Sequence, residues 1–347
     1  MEEKKHKRRV HYSGKYPKKF EEKYKEHNPE KYKDTIEHVI SKGSTPAGMH
    51  ISIMVQEILD FLQIKPGQKG LDCTLGYGGH TRKMLEQLSG NGCIYGLDVD
   101  PIESEKTVKR IREAGFGEDN FQFRLINFAN IDQVAAEVGK FDFVLADLGV
   151  SSMQIDNPKR GFSYKIDGPL DLRLDPKHGQ SAAERLHSVT QEEFVGMMVE
   201  NSDEPYAQEI AQKVFSLMSK GNPMDTTTAL REAISEALWK VPKDEKDQAI
   251  KKSCARVFQA LRIDVNSEFE VLYSFLEKLP DILNPGARVA ILTFHSGEDR
   301  LVKKSFKELE KMGVYSEVST DVIRPSAEEC RINPRSKSTK MRWAIKQ

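Results

Sequence analysis

Between about residue 50 and residue 150 the apolar positions follow two rhythms that alternate, and the alternation specifies an architecture. A helical period runs from Ile53 to Leu62 and ends at the Pro66-Gly67 turn. Strand-length apolar runs follow at Lys69 to Cys73, Cys93 to Leu97, Phe121 to Ile126 and Phe141 to Ala146. Asp100-Pro101 reads as a helix cap with proline at the first helical position, opening a helix that reaches Arg112. Strands alternating with helices imply right-handed crossovers and a parallel sheet covered on both faces.

After the fourth strand the rhythm breaks. The next buried-type strand, Ala287 to Thr293, follows Asn284-Pro285-Gly286, so roughly a hundred residues intervene where one crossover helix would suffice. Helical periods cover Glu192 to Glu200, Tyr206 to Ser219, Thr228 to Trp239 and Val257 to Arg262, which predicts an inserted helical domain. Tyr315 to Thr320 and Lys340 to Ile345 alternate as a terminal hairpin would, with the basic loop Asn333-Pro334-Arg335-Ser336-Lys337-Ser338 between them. The expected fold is α/β, a Rossmann-like sheet interrupted by helices. Its expected parts are an arm over residues 1–45, a sheet domain over 46–155 and 256–347, and an insert over 156–255. The insert leaves from the C-terminal edge of the sheet, where open α/β folds bind ligands, and there it can shape a second substrate's pocket.

Composition narrows the class. A chain of 347 residues has room for about two domains. Its 53 Lys and Arg balance 53 Asp and Glu, so affinity for nucleic acid must come from local patches. One such patch is the stretch to about Ser44, where Lys and Arg interleave with Tyr12, Tyr16, Phe20, Tyr24 and Tyr32. It reads either as an RNA-contacting tail or as a solvated, partly helical extension. Cys73, Cys93, Cys254 and Cys330 lack the paired spacing of a zinc site or a disulfide framework, so reduced thiols and no metal are expected. The N-terminal stretch lacks an apolar run, so neither a signal peptide nor a membrane span is expected, and a cytoplasmic location is the expectation.

The densest chemistry lies in Leu71-Asp72-Cys73-Thr74-Leu75-Gly76-Tyr77-Gly78-Gly79-His80, with Leu97-Asp98 one helix later. A glycine turn at a helix start brings backbone N–H groups close to a ligand, and an acid ending the next strand can hold both hydroxyls of a ribose. A dinucleotide fingerprint would carry a third glycine three residues after the second, and here His80, Thr81 and Arg82 follow instead. The spacing suits S-adenosylmethionine better, although a plain structural turn is the alternative for the glycines alone. Phe141 to Ala146 then delivers Asp147 into Leu148-Gly149-Val150-Ser151-Ser152 at the same edge. Asp147 is the candidate to accept protons from a target amine or to grip the cofactor, and a simple loop cap is its bland reading. Methylation of a ring carbon would need a cysteine in that loop, and deamination a His/Cys/Cys zinc set; neither is there.

These residues resemble the bacterial small-subunit 16S ribosomal RNA cytosine-N4 methyltransferases, the RsmH/MraW family. The likeness runs from about His50 to the C-terminus. It rests on Asp72 to His80, Asp147 to Ser152, Arg160-Gly161-Phe162-Ser163, Asp167-Gly168-Pro169-Leu170-Asp171, Phe258-Gln259-Ala260-Leu261-Arg262, Phe294-His295-Ser296 with Glu298-Asp299-Arg300, and Asn333-Pro334-Arg335-Ser336. The resemblance implies a class I methyltransferase sheet, S-adenosyl-L-methionine as donor, and a cytidine of the decoding region in an assembling small subunit as acceptor. It implies Gly78, Gly79, His80, Asp98, Phe128, Asp147 and Gln154 at the cofactor, with Asp147 the catalytic candidate. Arg160, Phe162, Arg262, Arg335 and Lys337 are the expected acceptor-binding set, although Phe258 and Arg262 also fit one face of an ordinary packed helix. His295 is a possible aid to proton removal or a structural histidine. The chain departs from the family pattern in its N-terminal arm, in Gly297 and in Ser52. A paralogue with another RNA or DNA amine as target, or a non-catalytic assembly factor, is the rival reading; the oligomeric state is open.

Overall fold

The computed structural model describes residues 52–347, so the expectations for the arm lie outside the described residues. The described residues open with helix α1 (Val55–Leu62) and then strictly alternate: β1 (Lys69–Asp72), α2 (Gly79–Leu88), β2 (Cys93–Asp98), α3 (Pro101–Glu113), β3 (Phe121–Leu125), α4 (Ile131–Val138) and β4 (Phe141–Asp147). Six helices follow: α5 (Ser152–Asp156), α6 (Ala182–Ser188), α7 (Gln191–Ser202), α8 (Ala207–Ser219), α9 (Thr227–Ala237) and α10 (Lys243–Val265). Then come α11 (Glu268–Lys278), β5 (Leu283–Thr293), α12 (Ser296–Lys311), β6 (Tyr315–Val318), α13 (Ala327–Ile332) and β7 (Lys340–Lys346).

The seven strands form one sheet in the order β3-β2-β1-β4-β5-β7-β6. Neighbours from β3 to β5 pair parallel, and β7 runs antiparallel to both β5 and β6. This is a class I methyltransferase sheet. The order reverses between β1 and β4, so the C-terminal ends of these two strands flank the crevice where such sheets hold ligands. Close approach there has a local cause: the Phe143 ring of β4 lies where a Cβ on Gly70 of β1 would be, 2.1 Å away. Phe143 is fully buried, which contributes about 1.5–3 kcal/mol.

One strand expectation shifts in detail. The Asn284-Pro285-Gly286 turn lies inside β5, because pairing with β4 already begins at Leu283 opposite Phe141 and resumes at Arg288 opposite Phe143. The extra residues bulge out, with Gly286 at φ 76°. Residues 255 and 256, on either side of an expected boundary between parts, both lie within α10, which runs unbroken from Lys243 to Val265.

Buried side chains of α6 to α10 and the preceding loop, from Phe162 through Leu261, make a hydrophobic core of their own, distinct from the cores on the two faces of the sheet. No helix among the described residues is long and apolar enough to cross a membrane.

Candidate active site

The crevice begins at the β1–α2 turn. Asp72 closes β1 fully buried, accepting from the Thr74 N–H at 3.1 Å and from the Thr81 hydroxyl at 2.5 Å. Burial raises its carboxyl above the ordinary value, against the pull of these donors. The turn then needs two left-handed residues, Gly76 at φ 49° and Gly78 at φ 80°. A Cβ on Gly78 would stand 2.7 Å from Thr107 Cγ2, and one on Gly79 would stand 1.9 Å from Ser52 Oγ. Both glycines are therefore fixed by protein neighbours, whereas Gly76 meets nothing closer than 3.7 Å. The turn is pinned from behind as well, since the Thr107 hydroxyl donates to the Gly76 carbonyl at 2.6 Å.

Asp98 closes β2 beside this turn. Its Oδ2 accepts from the Gly76 N–H and its Oδ1 from the Asp100 N–H, both at 2.8 Å. A carboxylate offers about four lone-pair sites, so two remain for a vicinal diol. Burial pushes this carboxyl up to about 6, while the two N–H groups restrain it. Phe128 follows β3 in a short 3-10 turn capped by Asn127, and its ring meets Phe275 edge-on at 5.3 Å. Only part of it is buried, which leaves a partly open aromatic wall beyond Asp98.

Asp147 closes β4 across the crevice. Its N–H donates to the Thr74 hydroxyl at 2.6 Å, which ties the two strand ends together. Its Oδ2 stands 3.6 Å from His80 Nδ1, and its Oδ1 is buried without a hydrogen-bond partner. Burial pushes the carboxyl up to about 6, with His80 opposing and Asp72 and Glu298 adding to the rise. His80 is held from the other side by the Ile53 carbonyl, 2.8 Å from Nε2. If that nitrogen carries the proton of a neutral ring, Nδ1 is an acceptor facing Asp147.

The crevice fits a nucleoside-bearing cation on its own chemistry. A restrained acid with spare lone pairs stands at one end, and an unpartnered carboxylate oxygen at the other answers a positive charge. The geometry brings Gly78, Gly79, His80, Asp98, Phe128 and Asp147 to this edge.

Gln154 and Arg160 are placed differently. Gln154 closes a capping box with Ser151, and its Nε2 donates to Asp100 Oδ2 at 2.9 Å. Arg160 is buried and donates to the same oxygen at 2.7 Å, so it faces the interior and presents no guanidinium to a phosphate. Phe162 belongs to the core of the helical region, again inside. Arg262 forks both oxygens of Glu268 at 2.8 and 2.9 Å, with only 16% of its side chain exposed. For Arg160, Phe162 and Arg262 the ordinary packing role describes the contacts. Arg335 is exposed and forks Asp156 at 2.8 and 3.1 Å, and Lys337 is exposed beside it.

Sequence reasoning missed the shell behind these groups. Asp100 is legible as a helix cap, but its junction with Gln154 and Arg160 spans 54 and 60 residues and leaves no local signal. Glu298 Oε1 lies 3.2 Å from His295 Nε2, and Glu298 Oε2 accepts from the Phe294 N–H at 2.8 Å. Burial opposes the charge of Glu298, yet His295 and Arg262 hold its carboxyl below the usual value. Gly297 has a packing cause, since a Cβ there would stand 2.6 Å from the Phe269 ring.

Known proteins match the chain over most of its length. A ribosomal RNA small subunit methyltransferase H 1 of Agathobacter rectalis is 68% identical over 345 residues, 99% of each chain. A ribosomal RNA small subunit methyltransferase H of Clostridium botulinum (strain Kyoto / Type A2) is 36% identical, covering 84% of this chain and 97% of that one. Among solved structures, a putative rRNA-methylase from Clostridium thermocellum superposes with a TM-score of 0.42 at 13% identity, over 86% of this chain and 100% of that one. The model of the MraW methylase family matches residues 47–347, and the chain belongs to that family.

Proposed function

We propose that this methylase transfers a methyl group from S-adenosyl-L-methionine to the exocyclic N4 amine of a cytidine in the decoding region of 16S ribosomal RNA, within the small subunit and in the cytoplasm. The carrying observation is the pair of acids across one crevice: Asp98 with lone pairs to spare, and Asp147 with a buried oxygen that lacks a donor. The donor, when bound, supplies an electrophilic methyl on a sulfonium. Asp98 and the Gly76 turn fix its ribose, Phe128 borders its base, and Asp147 faces the reacting end.

The N4 lone pair of cytosine is delocalised into the ring, so the amine is a weak nucleophile. Asp147 accepts its N–H, which favours the pyramidal nitrogen needed for attack, and a carboxyl near 6 can take the departing proton at neutral pH. His80 stands behind that carboxylate, its Nδ1 3.6 Å from Oδ2. Holding both partners in line supplies much of the remaining acceleration. Attack at ring carbon 5 would need a thiolate, and Cys73, which follows β1, is buried with its ionisation pushed far up by burial.

The test is mass spectrometry of 16S ribosomal RNA from cells with and without the gene. Loss of N4-methylcytidine at one position is expected; an unchanged nucleoside profile contradicts the proposal.

A further inference from the structure

Arg160 sits where the chain leaves the sheet for the helices, in the 3-10 turn Pro158–Arg160. With 7% of its side chain exposed, it joins two structures. One terminal nitrogen donates to Asp100 Oδ2 at 2.7 Å; the other donates to the carbonyls of Arg173 and Leu174 at 3.0 and 2.8 Å. Asp100 in turn caps α3 with Oδ1 and donates its own N–H to Asp98, the acid assigned to the donor ribose.

On the far side the segment gripped by Arg160 is fastened to the return crossing. The Leu174 N–H donates to Asn266 Oδ1 at 2.7 Å, and Asn266 Nδ2 donates to the Leu172 and Arg262 carbonyls, each at 2.8 Å. Leu172 is held buried at φ 63°, a conformation that persists only where surrounding contacts impose it. The layers are pressed together: a Cβ on Gly161 would stand 2.2 Å from the Pro169 carbonyl oxygen. One chain of polar contacts therefore runs from the glycine turn through Asp98, Asp100 and Arg160 to both crossings of the helical region.

We propose that Arg160 is a positioning residue for methyl transfer, setting the helical platform that carries the acceptor at a fixed height over the donor by hooking it to the residue that holds the ribose acid. The inference rests on the donor assignment above. A fork that reaches a carboxylate and two carbonyls at once suits arginine and exceeds what a lysine ammonium can span. Misplacement of reacting atoms by about 1 Å can lower a rate by about 100-fold, so the hook acts on kcat.

The full-length protein is assayed for transfer to small ribosomal subunits, with donor binding followed by calorimetry. In Arg160→Gln, and in Asp100→Asn, which keeps a competent helix cap, kcat is expected to fall about 100-fold. Donor Kd and the KM for subunits should stay within about threefold, the split expected when only transition-state alignment is lost. Arg160→Lys should regain thermal stability but little of the rate. Where Arg160→Gln fails to fold, the Asp100→Asn/Arg160→Gln double variant, which buries no unpaired charge, carries the same readout. An unchanged kcat in any folded variant overturns the proposal, as does a loss explained wholly by donor Kd. A wild-type protein that binds no donor would instead refute the functional reading itself.

Discussion

The donor edge of the sheet and the helical region use charged residues in opposite ways. At the donor edge, Asp98 and Asp147 are only partly satisfied, and burial holds both carboxyls near 6. In the helical region and its crossings, the charges are paired: Arg160 with Asp100, Arg173 with Asp171, Arg185 with Asp264, Arg262 with Glu268. On the proposed reading the spare lone pairs await a ligand, whereas the arginine pairs tie segments of the protein together, Arg160 and Asp100 across 60 residues.

The comparison breaks most visibly if a clamp is cut. Arg262→Ala leaves Glu268 in a half-buried patch beside Glu298, and should lower unfolding free energy in urea by about 3 kcal/mol. Adding Glu268→Gln should restore most of it. A loss below about 1 kcal/mol would place the pair among ordinary surface bridges. Next in size, Asp98→Ala should weaken donor binding about 100-fold by calorimetry, the loss expected for two charge-assisted hydrogen bonds, with the fold retained by circular dichroism. Undiminished binding would remove Asp98 from the site.

Acidity sharpens the same contrast. Because burial raises the Asp98 and Asp147 carboxyls, the folded apo protein binds protons more tightly than the unfolded chain. Their contribution to fold stability is complete below the unfolded value near 3.8 and is lost as pH rises through about 6. A cationic donor prefers both acids ionised. Its affinity should therefore climb as pH rises from 5 to 7, by up to about tenfold per unit for each proton released. A flat profile would mean that neither acid meets the donor's charge. The smallest effect belongs to Lys337→Ala, which should reduce the salt slope of subunit binding by about one phosphate contact and leave donor affinity alone. An unaltered slope would take Lys337 off the RNA surface.

The same contrast explains what the sequence discloses. Strand spacing, the Gly76–Gly79 turn and the acids that end β1, β2 and β4 are local patterns dictated by backbone geometry, and each is legible where it stands. The role of Arg160 is not, because a guanidinium in a basic stretch reads alike whether it meets a phosphate or a carboxylate 60 residues away. Phe162 fails for a related reason: an aromatic beside arginines looks like a stacking platform, while tertiary packing draws it into the core. Asp100 is visible only in its local duty as a cap of α3.

The central claim, a donor lying across Asp98 and Asp147 with its methyl aimed at an amine nitrogen, is tested most directly by incubating the protein with small subunits and S-adenosylmethionine bearing a deuterated methyl. Nucleoside mass spectrometry should then find the intact deuterated methyl on N4 of one cytidine per subunit. Label on ring carbon 5, or no label in the RNA, would contradict the account.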